Sequence, residues 1–325
     1  MTSGPTVEEI YAALTGRTQE TETLLRLRDE RAGRCLAVIY THWLMADEDH
    51  VFFGPIMRAL RNRSYGLGWH IFTCAPASDH WLDENLVEAC VQHGADALVI
   101  LGGADGNPDI LSQRWGNLPA VFVDYDTFGS RCAHVGLDYE AAFSGLVVHL
   151  AEMGCSRIAH ITGLLDTRVG AERLTAYRDT MRRLGFTVPP EYIEVGDFYP
   201  ESAYEGAKRL LRLPNRPDAI AAACDVQAIA VLRAIEEAGL RCPEDVAVTG
   251  FDDAPFAATV TPSLTTVRQP AAAIGEHAFD AVAEMLLHPE APPPLIQLEG
   301  ELIVRESSRH TSAPVKHGVT LHSVA

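Results

Sequence analysis

The chain has 325 residues, of which 47% are hydrophobic and 22% charged, a composition that excludes wholesale disorder and suits a protein with a full hydrophobic core. It carries 26 Lys and Arg against 44 Asp and Glu, a formal net charge of −18. Such a charge disfavours contact with nucleic acid or acidic membranes unless one segment is locally basic. The length predicts two domains.

From Cys35 onward, short apolar runs alternate with segments of helical period, which is typical of βαβ units and a buried parallel sheet. The predicted strands of this first series are CLAVIY (35–40), HIFTCA (70–75), ALVIL (97–101) and AVFVD (120–124). Two helices between them have apolar stripes at Phe53, Ile56, Met57 and Leu60, and at Leu82, Leu86, Val87 and Cys90. One α/β lobe is therefore largely complete by residue 135.

A second series follows with the same rhythm, after a helix whose stripe is Phe143, Leu146, Val147 and Leu150. Its predicted strands are RIAHIT (157–162), YIEV (192–195), AIAAAC (219–224) and VAVTGF (246–251). Its helices include Leu174–Leu184 and a run through Ile229, Leu232 and Leu240 that Gly239 helps to close. Within RIAHIT, His160 is expected to be a packed core side chain.

The segment TPSLTTVRQP (261–270) leads into another amphipathic helix, with Ile274, Ala278, Val282, Met285 and Leu286. HPEAPPP (288–294) is predicted as a loop, because its prolines cannot donate to a helix or a sheet. LIQL (295–298) and ELIVRES (301–307) are predicted as the final strands, followed by a loosely held tail, 311–325.

Residues 1–34 form an atypical arm in which five Arg face six Asp or Glu. The first residues do not resemble a secretory leader, and no apolar run approaches the roughly 20 residues that span a bilayer. We therefore expect a cytoplasmic protein without membrane contact. Seven cysteines without a C-x-x-C pair predict reduced, buried thiols. An exported solute-binding protein is the alternative interpretation if a leader has been lost from the sequence.

Several stretches resemble the effector-binding domain of the lactose and galactose repressor family of transcription regulators. Most of the resemblance lies in residues 224–270 and in ELIVRESS (301–308). LPAVFVDYD (118–126) and residues 154–186 also match, and HVFFGPIMRAL (50–60) matches more weakly. Together these stretches cover about residues 34–308.

The resemblance implies an α/β fold like that of periplasmic sugar-binding proteins, with two Rossmann-like parallel-sheet lobes, three crossover strands and a ligand in the cleft between the lobes. The N-terminal lobe would take residues 35–135 plus 270–299. The C-terminal lobe would take residues 136–269 plus 300–310. It also implies a small-molecule effector, a sugar above all, and a homodimer.

Acidic residues follow several predicted strands, where ligands of open α/β sheets bind. Asp124 ends AVFVD, Asp225 follows AIAAAC, and Asp252 follows VAVTGF. Each could instead be a helix N-cap, since Asp satisfies free backbone N–H groups there. For Asp225 and Asp253 capping and ligand contact stay equal alternatives, whereas the resemblance favours a ligand role for Asp252.

The resemblance adds further candidate ligand residues. Arg173 matches an arginine that grips the effector, through a planar fork suited to two hydroxyls or a carboxylate. It also implies apolar walls at Phe52 or Phe53, one of which would belong to the core, a stacking ring at Phe198 and a contact at Gln269. Cys224 stands where many relatives have Asn, and a thiol replaces an amide poorly.

The N-terminus departs from the family pattern, because relatives begin with a helix-turn-helix of about 50 residues. Only 34 residues precede the first strand here, so we expect DNA binding only if they, or a module not in the sequence, supply a reader. LLRLRDERAGR (24–34) stands where relatives have their hinge helix.

Enzyme motifs, metal-ligand spacings and cofactor loops are absent from the sequence, so no catalytic residue, metal or cofactor is expected. The sequence predicts a ligand-sensing transcriptional regulator. A solute-binding protein without DNA binding is the first alternative, and an enzyme on the same scaffold is the second.

Overall fold

The computed structural model describes residues 34–41, 50–75, 84–102, 118–124 and 131–309. Within these ranges, no helix combines the length and apolar character that crossing a bilayer requires. Most of the arm 1–34 and the whole tail 311–325 lie outside the described residues.

The chain divides into two compact units. The first takes the residues up to Leu137 together with Pro270–Leu298, and the second takes Asp138–Gln269 together with the residues from Glu299 onward. The chain therefore passes from one unit to the other three times. Each passage lies at, or within two residues of, the boundary expected from the sequence.

The first unit is built on a six-stranded sheet in which all neighbouring strands are parallel. Its strands are β1 (Cys35–Tyr40), β2 (His70–Cys74), β3 (Ala97–Leu101), β4 (Ala120–Val123), β5 (Cys132–Leu137) and β11 (Leu295–Leu298). Their order in the sheet is β11-β5-β4-β3-β1-β2. β3 and β4 are buried at every position, as inner strands of a parallel sheet should be.

The described part of the first unit also contains the helices α1 (Phe53–Gly66), α2 (Glu84–Gln92) and α7 (Ala271–Leu287). The predicted stripe of α1 is confirmed, since all four of its residues are buried. α7 packs closely on α1 at Gly275, where a Cβ atom would lie 2.4 Å from the carbonyl oxygen of Ile56. Of the predicted stripe on α2, only Cys90 lies among the described side chains, and it is buried.

The second unit contains a four-stranded parallel sheet and a two-stranded antiparallel one. The strands are β6 (Ile158–Ile161), β7 (Ile193–Glu194), β8 (Ala219–Ala222) and β9 (Ala247–Thr249), in the order β7-β6-β8-β9, and the pair β10 (Thr266–Arg268) and β12 (Glu301–Ile303). Its helices are α3 (Tyr139–Glu152), α4 (Arg168–Arg183), α5 (Pro200–Leu211) and α6 (Asp225–Glu237).

Side-chain caps and a glycine fix the ends of these helices. Asp138 accepts a hydrogen bond from Ala141 N (2.8 Å) before α3, and Thr167 accepts one from Gly170 N (3.2 Å) before α4. After α6, Gly239 has a φ of 72° and the next amide, of Leu240, bonds Ile235 O at 3.1 Å, which closes the helix as predicted.

The structure corrects the sequence prediction in three places. ELIVRES is a strand only over Glu301–Ile303, because the buried Ser307 and Ser308 turn into a 3₁₀ helix and bond to neighbouring segments. The helix α5 was not predicted, whereas β5 and β10 lie where the family resemblance implied crossover strands, near residues 135 and 269. On α6 the predicted Ile229 and Leu232 are only partly buried, as is Leu240 just beyond the helix, and the buried face of α6 contains Ala228, Val231, Ala234 and Ile235.

Candidate functional site

Six of the predicted ligand residues belong to the second unit, and the structure brings five of them into one neighbourhood. Gln269 Nε2 donates to Asp252 Oδ1 at 2.7 Å, and Cys224 Sγ lies 3.6 Å from the carbonyl oxygen of Phe198. The guanidinium carbon of Arg173 lies 5.9 Å from the centroid of the Phe198 ring. Phe198, Cys224 and Asp252 each follow a strand of the parallel sheet, as ligand residues of such sheets do.

Arg173 is the central cation of this neighbourhood and is only 3% exposed. It lies in the second turn of α4, and its Nη1 donates to the carbonyl oxygen of Ala223 at 2.5 Å. That carbonyl follows β8, so the strand end fixes one side of the guanidinium. The buried Nε has no hydrogen-bond partner. A buried N–H group without a partner is costly, which suits a site that a ligand completes.

Three aromatic rings surround the Arg173 guanidinium. Its central carbon lies 3.9 Å from the centroid of Phe251, 4.9 Å from that of Tyr139 and 5.9 Å from that of Phe198. Cation–π attraction over such rings is worth about 2 kcal/mol when the pair is desolvated. Sequence reasoning missed Tyr139 and Phe251, whose role depends on tertiary packing. Their signals were weak: one follows a helix cap, and the other precedes the predicted Asp252.

The polar side of the neighbourhood is a chain of side-chain hydrogen bonds. Tyr139 Oη donates to Gln269 Oε1 at 3.4 Å, and Gln269 in turn donates to Asp252. Burial raises the pKa of the Asp252 carboxyl to about 6, while Arg173 and Gln269 act in the opposite direction. Gln269, a predicted ligand residue, therefore orients the carboxylate of Asp252.

Asp225 has a structural role that neither sequence alternative anticipated. The capping alternative is wrong, because its side chain does not bond the first turn of α6. Its buried carboxylate accepts from Thr266 Oγ1 (2.6 Å) and from Ala254 N (2.7 Å), which joins three segments behind the site. Burial, and next the nearby Asp252 carboxylate, raise the pKa of Asp225 to about 8. A direct ligand contact by Asp225 stays a prediction.

Asp253 likewise does not cap a helix. Its carboxylate bonds Arg268 Nε at 2.7 Å and Arg305 Nη2 at 2.6 Å. The side chains of Asp253 and Arg305 are only 9% and 17% exposed, so this ion pair is shielded from solvent. The pair ties the residue after Asp252 to the strand β10 and to the segment after β12, and so supports the loop that carries Asp252.

Backbone strain is concentrated at the predicted site residues. Among the described residues, the non-glycine positions with positive φ are Asp124 (61°), Phe198 (68°), Asp252 (117°) and Asp253 (54°). Such conformations cost about 1–3 kcal/mol each and persist where the surrounding structure imposes them, often at functional sites. Three of the four were predicted ligand residues, and the fourth is the neighbour of one.

The position of the Phe198 ring depends on a glycine. A Cβ atom on Gly163 would lie 2.0 Å from Phe198 Cζ, so the ring rests directly on the backbone that follows β6. Only glycine allows this approach. This contact and the positive φ of Phe198 together hold the Phe198 ring beside Arg173.

The other three predicted site residues belong to the first unit. Phe52 and Phe53 are 8% and 6% exposed, and their rings pack on each other at 5.1 Å. Both belong to the hydrophobic core of this unit, so the expectation that only one does is wrong. Asp124 follows β4 and is 3% exposed beside His134 and Gly136. Ligand contact by these residues stays a prediction.

Two further features limit the chemistry. Among the described residues, no group of three or more His, Cys, Asp or Glu side chains could hold a metal ion. His160 is fully buried, as predicted, and its Nδ1 lies 2.8 Å from Ala221 O. Burial lowers the pKa of His160 to about 4, so it stays neutral in the core.

Comparison with known proteins places this geometry in context. Residues 147–308 match the family model of the periplasmic binding protein-like domain. The chain is 28% identical over 303 residues to the ribose operon repressor of Escherichia coli K12, and the match covers 92% of each protein. It is 28% identical over 268 residues to the HTH-type transcriptional repressor PurR of Escherichia coli O139:H28, covering 81% of this chain and 78% of that protein.

Two solved structures have the same fold. A complex of the transcriptional regulator CelR with cellobiose is 25% identical, with a TM-score of 0.76 over 93% of this chain and 99% of that one. The lac repressor dimer bound to operator and an anti-inducer is 22% identical, with a TM-score of 0.75 over 89% of this chain and 98% of that one.

Proposed function

Since this chain carries the effector-binding core of a transcriptional regulator of the lactose and galactose repressor family, we propose that its second unit binds a neutral, hydroxyl-rich effector, a sugar or a similar polyol. The ribose operon repressor and the cellobiose complex among its relatives support this ligand class. The proposal rests chiefly on Arg173.

Arg173 supports the proposal because it is buried, rigid and incompletely bonded. Its Nη1 is bound to Ala223 O, three rings enclose it, and its Nε has no partner. Each charge-assisted hydrogen bond to a ligand oxygen would contribute about 1.5–3 kcal/mol. A ligand oxygen reaching this group would satisfy an N–H that the protein leaves unbonded.

The opposite charge beside Arg173 favours a neutral ligand over an anion. Asp252 lowers the net charge of the site, and it lies close enough to Asp225 to raise the pKa of that second carboxyl. A sugar hydroxyl can accept a hydrogen bond from Arg173 and donate one to Asp252. The Phe198 ring would pack against the apolar face of a pyranose, as in many ligand pockets.

Cys224 distinguishes this site from those of the relatives that have Asn at this position. Its buried thiol lies against Phe198 O, and burial raises its pKa to about 12, so it stays a neutral and weakly polar group. We therefore propose that the effector presents an apolar edge, or lacks a hydroxyl, where it meets Cys224.

The output that we propose is transcriptional control by a homodimer. The relatives named above are repressors, and the lac repressor structure is a dimer. Light scattering of the full chain measures its oligomeric state, and we expect a dimer. A mobility-shift assay at low salt, with a promoter fragment from upstream of the gene that encodes the chain, tests whether it binds DNA.

The test of the ligand proposal is a thermal-shift screen of the full chain against sugars, sugar phosphates, polyols and nucleobases. A ligand at 100 times its Kd stabilises the folded state by about 2.7 kcal/mol. We expect a hit among the neutral sugars or polyols. In Arg173→Ala its affinity should fall by about one to two orders of magnitude.

Arg182→Ala is the matched control, because Arg182 lies on the same helix with a side chain that is 77% exposed. It should bind the hit as the unsubstituted chain does. An equal affinity in Arg173→Ala would show that the site is elsewhere, and a preference for anionic ligands would contradict the proposed ligand class.

A further inference from the structure

Two thiols lie side by side in the first unit, outside the neighbourhood of Arg173. Cys74 is the last residue of β2, the edge strand of the six-stranded sheet, and Cys90 lies in α2. Their sulfur atoms are 3.5 Å apart. All seven cysteines of the chain are free thiols. This pair joins two separate elements that the chain order places 16 residues apart.

The two thiols differ in exposure. Cys90 is fully buried in a small core cluster with Ala37, Ile39 and Ile100, and Cys74 packs against the edge of that cluster. Cys74 itself is partly exposed. The expectation that all the cysteines are buried is therefore wrong at this position, and a small oxidant can reach one thiol of the pair from solvent.

We propose that Cys74 and Cys90 form a reversible disulfide when the protein meets a peroxide or an oxidised low-molecular-weight thiol. The sulfur atoms need to approach by about 1.5 Å to reach the length of a disulfide bond, a change within the range of side-chain rotation. Disulfides in reducing compartments are usually transient and redox-sensing. The pair would give the chain a redox input besides its proposed small-molecule effector.

The reaction with hydrogen peroxide has two steps. Cys74 Sγ attacks one peroxide oxygen; the O–O bond breaks, a sulfenic acid forms, and the departing hydroxide takes the thiol proton and leaves as water. Cys90 Sγ then attacks the sulfur of the sulfenic acid; the S–O bond breaks, the S–S bond forms, and the second hydroxide leaves as water with the Cys90 proton. Two thiols and one peroxide thus give one disulfide and two water molecules.

The order of the steps follows from the surroundings of the two sulfurs. Burial, and next the hydrogen bond with Cys74, raise the pKa of Cys90 to about 12. Cys90 therefore stays a thiol at neutral pH and is not the first to react with peroxide. Cys74 is the partly exposed member of the pair, so the peroxide meets Cys74 first. The Cys90 sulfur lies 3.5 Å from the Cys74 sulfur and becomes the resolving thiol, because the hydroxide that leaves the sulfenic acid takes its proton.

The location gives the disulfide a direct effect on the sheet edge. Cys74 pairs in register with Ile39, next to the end of β1. In a parallel sheet the carboxyl ends of all strands share one edge, so Cys74 lies at the same edge as Asp124, which follows β4. Oxidation would fasten α2 to the strand at the edge where ligand residues are expected.

The chain sequence makes the test direct. Trypsin cleaves after Arg63 and Arg114, and residues 64–114 contain no other Lys or Arg and no cysteine besides this pair. After one equivalent of hydrogen peroxide, and separately in a glutathione redox buffer, we expect this fragment to lose two hydrogen masses. A protease that cleaves at Asp79, Asp83 or Glu84 should then give two peptides that separate only after reduction.

Three variants complete the experiment. Cys74→Ser should leave Cys90 reduced, and Cys90→Ser should leave Cys74 as a sulfenic acid or a mixed disulfide. Cys155→Ser is the matched control, since Cys155 is buried in the second unit with its sulfur 3.9 Å from Asp218 O, and its 64–114 fragment should still oxidise. The melting temperature should rise on oxidation in the unsubstituted chain and in this control alone.

Either of two results would overturn the proposal. One is that the tryptic fragment 64–114 keeps both thiols in a redox buffer that converts other protein dithiols to disulfides. The other is a Cys74 that forms a mixed disulfide with glutathione while Cys90 stays open to alkylation after brief unfolding. Both are read from the unsubstituted chain, so they decide the question even where a serine variant does not fold.

Discussion

The two units are built on parallel sheets but differ in what they bury. The first has a core of large apolar side chains, with Trp69 and Phe279 in edge contact at 5.3 Å. The second has short, alanine-rich strands, and behind them it buries the ionisable residues Arg173, Asp225 and His160. Burying charge costs free energy unless each group is paired or bonded. We therefore expect the buried ionisable groups of the second unit to contribute less to its stability than apolar side chains of the same size would.

The small side chains of the second unit make this arrangement possible. β8 reads AIAA, and its alanines leave space beside the sheet for Tyr177, His160 and the aromatic rings around Arg173. Three of the four strained non-glycine residues in the described part of the chain lie in this unit. Buried charge and backbone strain tend to occur at functional sites, which agrees with the effector site proposed in this unit.

The largest effect should come from emptying the core of the first unit. Phe279→Ala removes a fully buried ring from contact with Trp69 and should lower the free energy of unfolding by about 3–5 kcal/mol. All four tryptophans precede Leu137, within the first unit. Urea unfolding followed by tryptophan fluorescence therefore reports on that unit.

The matched control is Tyr65→Ala, at a side chain of α1 that is 61% exposed, which should change stability by no more than about 0.5 kcal/mol. A loss of under 1 kcal/mol in Phe279→Ala would mean that this core is loosely packed, and the contrast between the units would disappear.

The ease of prediction from sequence follows the same contrast. Strands of the first unit such as ALVIL are continuous apolar runs, and the predicted bounds of that strand, 97–101, are those of β3. β5, with the sequence CAHVGL, mixes a glycine, a histidine and an alanine into the strand, so its own pattern did not predict it and only the family resemblance implied a crossover strand there. α5 was missed too, although Pro200 and Glu201 mark its first turn.

The site shows a different limit. Arg173 and Asp252 were found through a family resemblance, and their position beside one another is a property of the fold. The ring partners Tyr139 and Phe251 lie 112 positions apart in the sequence, and no local pattern joins them. Asp225 shows why a correct residue can be given a wrong role: its position at a helix start suggested a cap, whereas its carboxylate points to Thr266 and Ala254.

The next effect tests whether buried charge limits the stability of the second unit. Asp225→Ala removes the acceptor of two buried donors and should cost about 2–5 kcal/mol at pH 5, measured by urea unfolding with far-UV circular dichroism. Asp225→Asn keeps the size, and its amide can donate to Thr266 Oγ1 while its oxygen accepts from Ala254 N.

The two chains should diverge with pH in a defined direction. The folded-state pKa of Asp225 is raised to about 8 from 3.8, so the folded state binds this proton more tightly than the unfolded state. Its contribution is present below pH 4 and is lost as the pH rises towards 8. Asp225→Asn should therefore gain stability relative to the unsubstituted chain over this range, and parallel curves would contradict the raised pKa.

A smaller effect should appear in the acid limb of the stability curve, where the free energy of unfolding falls as the pH is lowered from about 6.5 to about 4. His149 is 6% exposed, and its Nε2 lies 2.8 Å from Ser308 Oγ, which lies 2.7 Å from Thr265 Oγ1. Burial, and next the charge of Arg309, lower the pKa of His149 to about 4. Stability from the neutral imidazole is complete above pH 6.5 and is lost as the pH falls towards 4, by on the order of 2–3 kcal/mol.

His149→Gln should flatten this limb, because a glutamine can still bond Ser308 but does not titrate. The exposed His93→Gln is the control and should leave the limb unchanged. If both variants give the same acid limb, the hydroxyl network around His149 does not depend on its neutral form.

The smallest change in stability should come from Phe198→Gly, which separates binding from folding. Phe198 has a φ of 68°, a conformation that glycine adopts without strain. The relief of about 1–3 kcal/mol offsets the lost ring contacts with Gly163 and Arg173, so we expect a net change within about 1 kcal/mol. Effector affinity should nevertheless fall at least tenfold, since the stacking ring is gone.

Tyr199→Ala is the matched control, because it removes the neighbouring aromatic ring, which is 48% exposed, and should leave the affinity for the effector unchanged. Isothermal titration with the screening hit measures the affinity, and urea unfolding measures the stability. If Phe198→Gly loses more than about 2 kcal/mol while binding is kept, the ring is a packing residue. The strain would then support the fold of the second unit, and the distinction between a stable unit and a binding unit would fail at the residue where it is sharpest.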